Sequence, residues 1–115
     1  PFTIILKKKD IVPNILTANG DTVGIRMPEN KVALKLIEYA GVPIATPSAN
    51  ISGKPSGTTL DMINNDFGEK VDYFIDGGKS KIGVASTIVQ VIGGKPHILR
   101  EGAILKEDID LMKIN

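Results

Sequence analysis

Residues 86–100 read STIVQVIGGKPHILR. Ser86 to Ile92 is rich in β-branched side chains, which suit a pleated, half-buried surface, so it reads as a strand. Gly93-Gly94 turns the chain, and His97 to Arg100 reads as the antiparallel partner of a hairpin. Upstream, Thr3 to Lys8 predicts a strand ending at Lys9-Asp10. Ile11 to Asp21 is a loop, marked by Pro13 and the Asn19-Gly20 turn. Thr22 to Arg26 predicts a short strand stopped by Pro28. Asn30 caps a helix with Val32, Ala33, Leu36, Ile37 and Ala40 on one face, and Gly41 ends it. Val42 to Ala45 reads as a short buried strand. Thr59 caps a second helix with a stripe of Leu60, Ile63 and Phe67 and a stop at Gly68. Val71 to Ile75 predicts another strand, Asp76-Gly77-Gly78 a turn, and Ile104 to Ile114 a terminal helix with Ile109 and Met112 inward. The expectation is a mixed α/β fold, a twisted sheet with flanking helices, with residues 1–115 forming a single domain.

Composition narrows the function classes. The apolar fraction of 42% and charged fraction of 23% are those of a soluble globular chain. A net charge of +1 gives no electrostatic footprint for nucleic acid or a membrane surface. There is no cysteine, hence no disulfide, zinc–thiolate site or thiol nucleophile, which suits the cytoplasm. No apolar run approaches the roughly 18 residues of a membrane span. With three Phe, two Tyr and no Trp, stacking platforms for bases are scarce. The chain starts at Pro1, inside a strand-like run, as a piece of something longer would.

Thr46 to Gly57, TPSANISGKPSG, follows the apolar run Val42 to Ala45. Its N–H and O–H donors could face phosphate oxygens, and its glycines allow close backbone approach. The same residues also make an ordinary surface turn. Arg26 ends a β-run, where a guanidinium can hold a carboxylate or phosphate with two parallel hydrogen bonds; the alternative is a solvated charge. Ser86-Thr87 opens the STIV strand, although β-propensity alone accounts for Thr87. Arg100 ends its strand before Glu101, with a salt bridge to Glu101 or Asp108 as the plain reading. Thr22 has an ordinary turn hydroxyl as its plain reading. His97 is the only histidine and is assigned no catalytic role. No clustered His, Asp and Glu set suggests a dedicated metal cage. Hydroxyls and two arginines can bind anions, but they offer no evident general base.

The ordered set PFT (1–3), TVGIRMP (22–28), PSANISGKPSG (47–57), STIV (86–89) and LREGAI (99–104) resembles the YrdC-like family of threonylcarbamoyl-AMP synthases. Each motif alone is weak, but their common order is specific. The resemblance matches the later part of the family domain, so the chain is expected to be a partial YrdC-like domain. It implies that threonine and bicarbonate give threonylcarbamate, which attacks the α-phosphate of ATP to form threonylcarbamoyl-AMP and pyrophosphate. A separate transfer machinery then modifies tRNA. By the same resemblance Arg26, Thr46 and Ser86 would line the threonine, and Thr22, Ser48, Ser56 and Arg100 the ATP. Mg2+ would accompany ATP, held partly by phosphates and water.

The resemblance also implies a part of the domain ahead of Pro1, carrying a basic grip on the triphosphate and early strands. Without them the isolated chain is not expected to be a competent enzyme, and its open edges or apolar surface could pair it into a homodimer. Ala85 and Gln90 stand where family members often have acids. A second reading is a non-catalytic RNA- or nucleotide-binding module, against which the near-neutral charge and scarce aromatics weigh. A third is a carbamoyl-transfer domain from a larger maturation protein.

Overall fold

The computed structural model describes residues 2–80 and 84–110. Its contacts resolve into two compact units, Pro1–Pro43 with Val84–Asn115, and Ile44–Gly83. The first unit holds a four-stranded sheet of β1 (Phe2–Lys7), β2 (Thr22–Arg26), β3 (Thr87–Ile92) and β4 (Lys95–Arg100) in the order β2-β1-β3-β4. β1 pairs antiparallel with β2 and parallel with β3, and β3 pairs antiparallel with β4. Of the two central strands, β3 is the most β-branched in the sheet, as a buried position favours. The expected hairpin forms. Ile92 faces Lys95 across a two-residue loop, and Gly93 and Gly94 have φ of 58° and 74°. Positive φ at both central positions is what a tight hairpin turn matched to strand twist requires.

α1 (Lys31–Ala40) starts as expected: Asn30 Oδ1 accepts the N–H groups of Val32 at 2.9 Å and Ala33 at 3.0 Å. Gly41, at φ 65°, closes it by donating to the Ile37 and Glu38 carbonyls. The half-covered face is Ala33, Leu34 and Ile37, whereas Val32, Leu36 and Ala40, expected inward, are exposed. α3 (Lys106–Asp110) packs against β4 and buries Ile109. It is shorter at its start than the periodicity suggests. The remainder of the expected helix, with Met112, lies outside the described residues.

In the second unit α2 (Leu60–Phe67) is capped by Thr59, whose Oγ1 accepts the Met62 N–H. Leu60, Ile63 and Phe67 form its half-buried stripe, as the spacing predicted. Two expected strands are absent. Val42 to Ala45 is irregular, with Val42 61% and Ile44 41% exposed. Pro43 has no N–H to give a ladder, and a run this short gains little from an extended shape without a partner. Val71 to Ile75 is irregular too, with Val71, Tyr73 and Ile75 exposed. Strand propensity reports fit to a half-buried sheet surface, and none receives these residues among those described.

Thr87 is fully buried, and its hydroxyl is saturated. It donates to the Ile104 carbonyl at 2.6 Å and accepts the N–H groups of Gly102 and Ile104, each at 3.0 Å. One side chain thus fixes the segment that follows β4. Thr87→Val keeps the shape but strands these backbone groups. It should cost about 2 kcal/mol, within the range for an unsatisfied buried polar group. Urea unfolding of the full-length protein would check this; Thr87→Ser, which keeps the hydroxyl, should recover most of the loss.

Candidate functional site

Register decides which side chains share a face of the sheet. Thr3 stands opposite Arg26, and Lys7 opposite Thr22. Ile88 is the partner of Thr3 across the parallel pair and of Arg100 across the hairpin. Paired residues project to the same side, and side chains alternate along each strand. Thr22, Gly24 and Arg26 of β2 and Thr3 of β1 therefore share one face, and a register shift in the hairpin between Ile88 and Val89 brings Arg100 of β4 to it, opposite Ile88. Gly24 confirms it: a Cβ there would meet Ile5 Cδ1 at 3.3 Å and Thr3 Cγ2 at 3.5 Å. Its bare backbone leaves room between Thr22 and Arg26.

Ser86, one residue ahead of β3, joins this face. Its Oγ lies 3.1 Å from Thr3 Oγ1, and both residues are buried. Arg100 donates from Nε at 3.1 Å and Nη2 at 2.9 Å to the Ser86 carbonyl. Nη2 also reaches Ser86 Oγ at 3.4 Å. Two donors converging on one carbonyl fix the guanidinium plane. Thr3, Ser86, Arg26 and Arg100 thus gather at one end of the sheet. Thr22 does not join them: at the rise of a strand it sits about 13 Å from Arg26, at the other end of β2. Thr87 points to the opposite face, where residues 102–104 cover it.

In the second unit Asn50 organises the 46–57 loop. Its Nδ2 donates to the carbonyls of Ile51 and Lys54, each at 3.1 Å, and its Oδ1 accepts the Ser56 hydroxyl at 3.2 Å. Thr46 Oγ1 donates to the Ile44 carbonyl at 3.1 Å, and Lys54 pairs with Asp66 at 2.8 Å. Ser48 is exposed. A Cβ on Gly57 would lie 2.8 Å from Ile63 Cγ1, so only glycine lets the end of this loop lie so close to α2.

Among the described residues no group of three His, Cys, Asp or Glu side chains could hold a metal. No helix among them is long and apolar enough to cross a membrane. The residues gathered at this end of the sheet present hydroxyl and guanidinium groups. The arginines and serines are evident in the sequence as residue types, but the partners that orient them are not. Thr3 and Gly102 meet residues far along the chain, and Asn50 acts within its own loop. The one signal for them in the sequence is position: Thr3 lies in PFT, Asn50 in PSANISGKPSG and Gly102 in LREGAI.

The chain belongs to the Sua5–YciO–YrdC family: the family model described as "Telomere recombination" matches residues 1–102. It is 46% identical to the threonylcarbamoyl-AMP synthase of Pyrococcus abyssi over 110 residues, covering 96% of this chain and 32% of that protein. It is 44% identical to the Bacillus subtilis enzyme of the same name, covering 95% of this chain and 32% of that one. The crystal structure of P. abyssi Sua5 complexed with L-threonine superposes with a TM-score of 0.90 at 46% identity, over 95% of this chain and 32% of that one. The mixed sheet expected from the sequence is that of this family. The chain spans about a third of the length of these relatives.

Proposed function

We propose that the full-length protein containing this chain is an L-threonylcarbamoyladenylate synthase acting in tRNA modification. The observation that carries the reading is the shared face bearing Arg26, Ser86, Thr3 and Arg100 in a chain 46% identical to such an enzyme. Threonine and bicarbonate condense to threonylcarbamate with loss of water. A carbamate oxygen bonds to the α-phosphorus of ATP, and the bond to the bridging oxygen breaks to release pyrophosphate. The threonine-bound relative supports threonine as a substrate; Arg26 is assigned its carboxylate by the motif it stands in, with Ser86 beside it on the same face. Arg100 spends Nε and Nη2 on Ser86, so Nη1 is the part of it assigned to ATP. Thr22, Ser48 and Ser56 are assigned to ATP, and Thr46 to threonine, by the motifs they stand in.

None of these groups is a general base. Their contribution is positioning and stabilisation of charge that builds on the phosphoryl oxygens. Mg2+ would arrive with ATP on phosphates and water, since the described residues offer it no cage. The family match over residues 1–102 includes residues of both compact units, which supports reading them as part of one domain; residues 103–115 are assigned to it with them. ATP and tRNA meet in the cytoplasm, where we place the protein. The adenylate passes to a separate transfer machinery, and no RNA grip is assigned to this chain.

The test is pyrophosphate release by the full-length protein. Release should require ATP, threonine and bicarbonate together, and fall to background when either threonine or bicarbonate is withheld. Release that ignores threonine would refute the reading.

A further inference from the structure

Thr3 is buried, 7% exposed, near the start of β1, and its hydroxyl meets one other side chain, Ser86, across a sequence separation of 83 residues. A serine hydroxyl has one proton to donate and two acceptor sites. An arginine N–H can only donate, so at 3.4 Å Ser86 Oγ accepts from Arg100 Nη2. The direction of the Thr3–Ser86 bond then decides what Ser86 can offer. If Ser86 donates to Thr3, its proton is used up inside the protein. If Thr3 donates, both acceptor sites of Ser86 are filled and its own proton is left for another acceptor.

A site for an anionic amino acid carboxylate needs the second arrangement, because a carboxylate accepts and does not donate. We infer that Thr3 is a positioning residue that donates to Ser86 Oγ and so presents the Ser86 hydroxyl as a donor to threonine. The inference rests on the reading of Ser86 as a threonine contact. The β-branched side chain suits the task, since its χ1 is stiff and the hydroxyl cannot swing away cheaply. Register reinforces it: Thr3 lies directly opposite Arg26 on the same face, so one strand residue links the two groups assigned to threonine.

The experiment is steady-state kinetics and threonine titration calorimetry on the full-length protein, with a double-mutant cycle. Thr3→Val keeps the strand-favouring shape and removes the hydroxyl; Thr3→Ala is a second hydroxyl-free variant should Val disturb packing. Either should raise the threonine KM and Kd about tenfold, the size of one hydrogen bond to a charged group, with the ATP KM within about twofold. Thr3→Ser should restore threonine affinity to within about twofold. Ser86→Ala should weaken threonine at least as much, and adding Thr3→Val to it should change nothing further, because Thr3 acts through Ser86. Unchanged threonine affinity in the hydroxyl-free variants, equal loss for ATP, failure of the Ser variant to rescue, or additivity in the double mutant would each overturn the inference while leaving Ser86 as a contact. Ser86→Ala without effect on threonine would remove the reading of Ser86 and the inference with it.

Discussion

Gly102→Ala should lower the stability of the full-length protein by about 3 kcal/mol, the upper end for overpacking a tight site. A Cβ at Gly102 would run into the Ala85 carbonyl oxygen, and it would lie 2.7 Å from the Ser86 carbonyl carbon and 2.8 Å from the Thr87 nitrogen. All are backbone atoms, so no side chain can swing aside. Relief requires moving either the segment after β4 or the entry to β3. That segment is anchored by the Thr87 hydroxyl and by Ala103 N–H donating to the Ala85 carbonyl at 3.1 Å. The entry to β3 is where Arg100 clasps Ser86. The substitution should therefore reduce threonine affinity as well as stability. A contrast isolates the cause. Gly53 has φ 85° but open space around it, so Gly53→Ala carries backbone strain alone, about 1–2 kcal/mol. Thermal and urea midpoints for the two variants check this; Gly102→Ala no more costly than Gly53→Ala would contradict the packing.

The fold was legible wherever local chemistry and a partner agreed. The 86–100 hairpin announced itself through a β-branched run and a Gly-Gly turn, and both helix caps through Asn30 and Thr59. It was illegible where a strand-like run lacked a ladder. Val42 to Ala45 and Val71 to Ile75 carry the composition of strands, but composition cannot supply the neighbouring edge that makes extended backbone stable. The face of α1 was misjudged by a fraction of a turn, because an apolar stripe broad enough to run from Val32 to Ile37 leaves its orientation to the packing.

The candidate site divides in the same way. Arginines at strand ends and a hydroxyl-rich loop are visible as residue types. Which of them meet depends on register, and a shift of one residue would send Arg26 and Thr3 to opposite faces. Nothing local to Thr3 says that it touches Ser86, and nothing local to Arg100 says that its guanidinium is committed to the Ser86 carbonyl rather than to Glu101 or Asp108. The first follows from the parallel pairing of β1 with β3, the least local contact in the sheet, and the second from the register of the β3–β4 hairpin.

Arg26→Ala should raise the threonine KM of the full-length protein by about 100-fold while moving the ATP KM by no more than about threefold. Arg26 is exposed at the end of β2, on the face that carries Thr3 and Ser86, and it has no salt bridge among the described residues. Its guanidinium is thus available for two parallel hydrogen bonds to a carboxylate, and losing both amounts to about 2–3 kcal/mol. Arg26→Lys separates charge from geometry. Lysine keeps the charge but offers a single point of contact, so it should recover only part of the loss, leaving about a tenfold defect. Because Arg26 is exposed and its strand neighbours hold their ladder through the backbone, the midpoint of unfolding should not move. Threonine titrations with and without ATP, paired with thermal melts, distinguish the outcomes. Equal weakening of threonine and ATP would place Arg26 with the nucleotide. Full activity in the lysine variant would show that charge alone suffices.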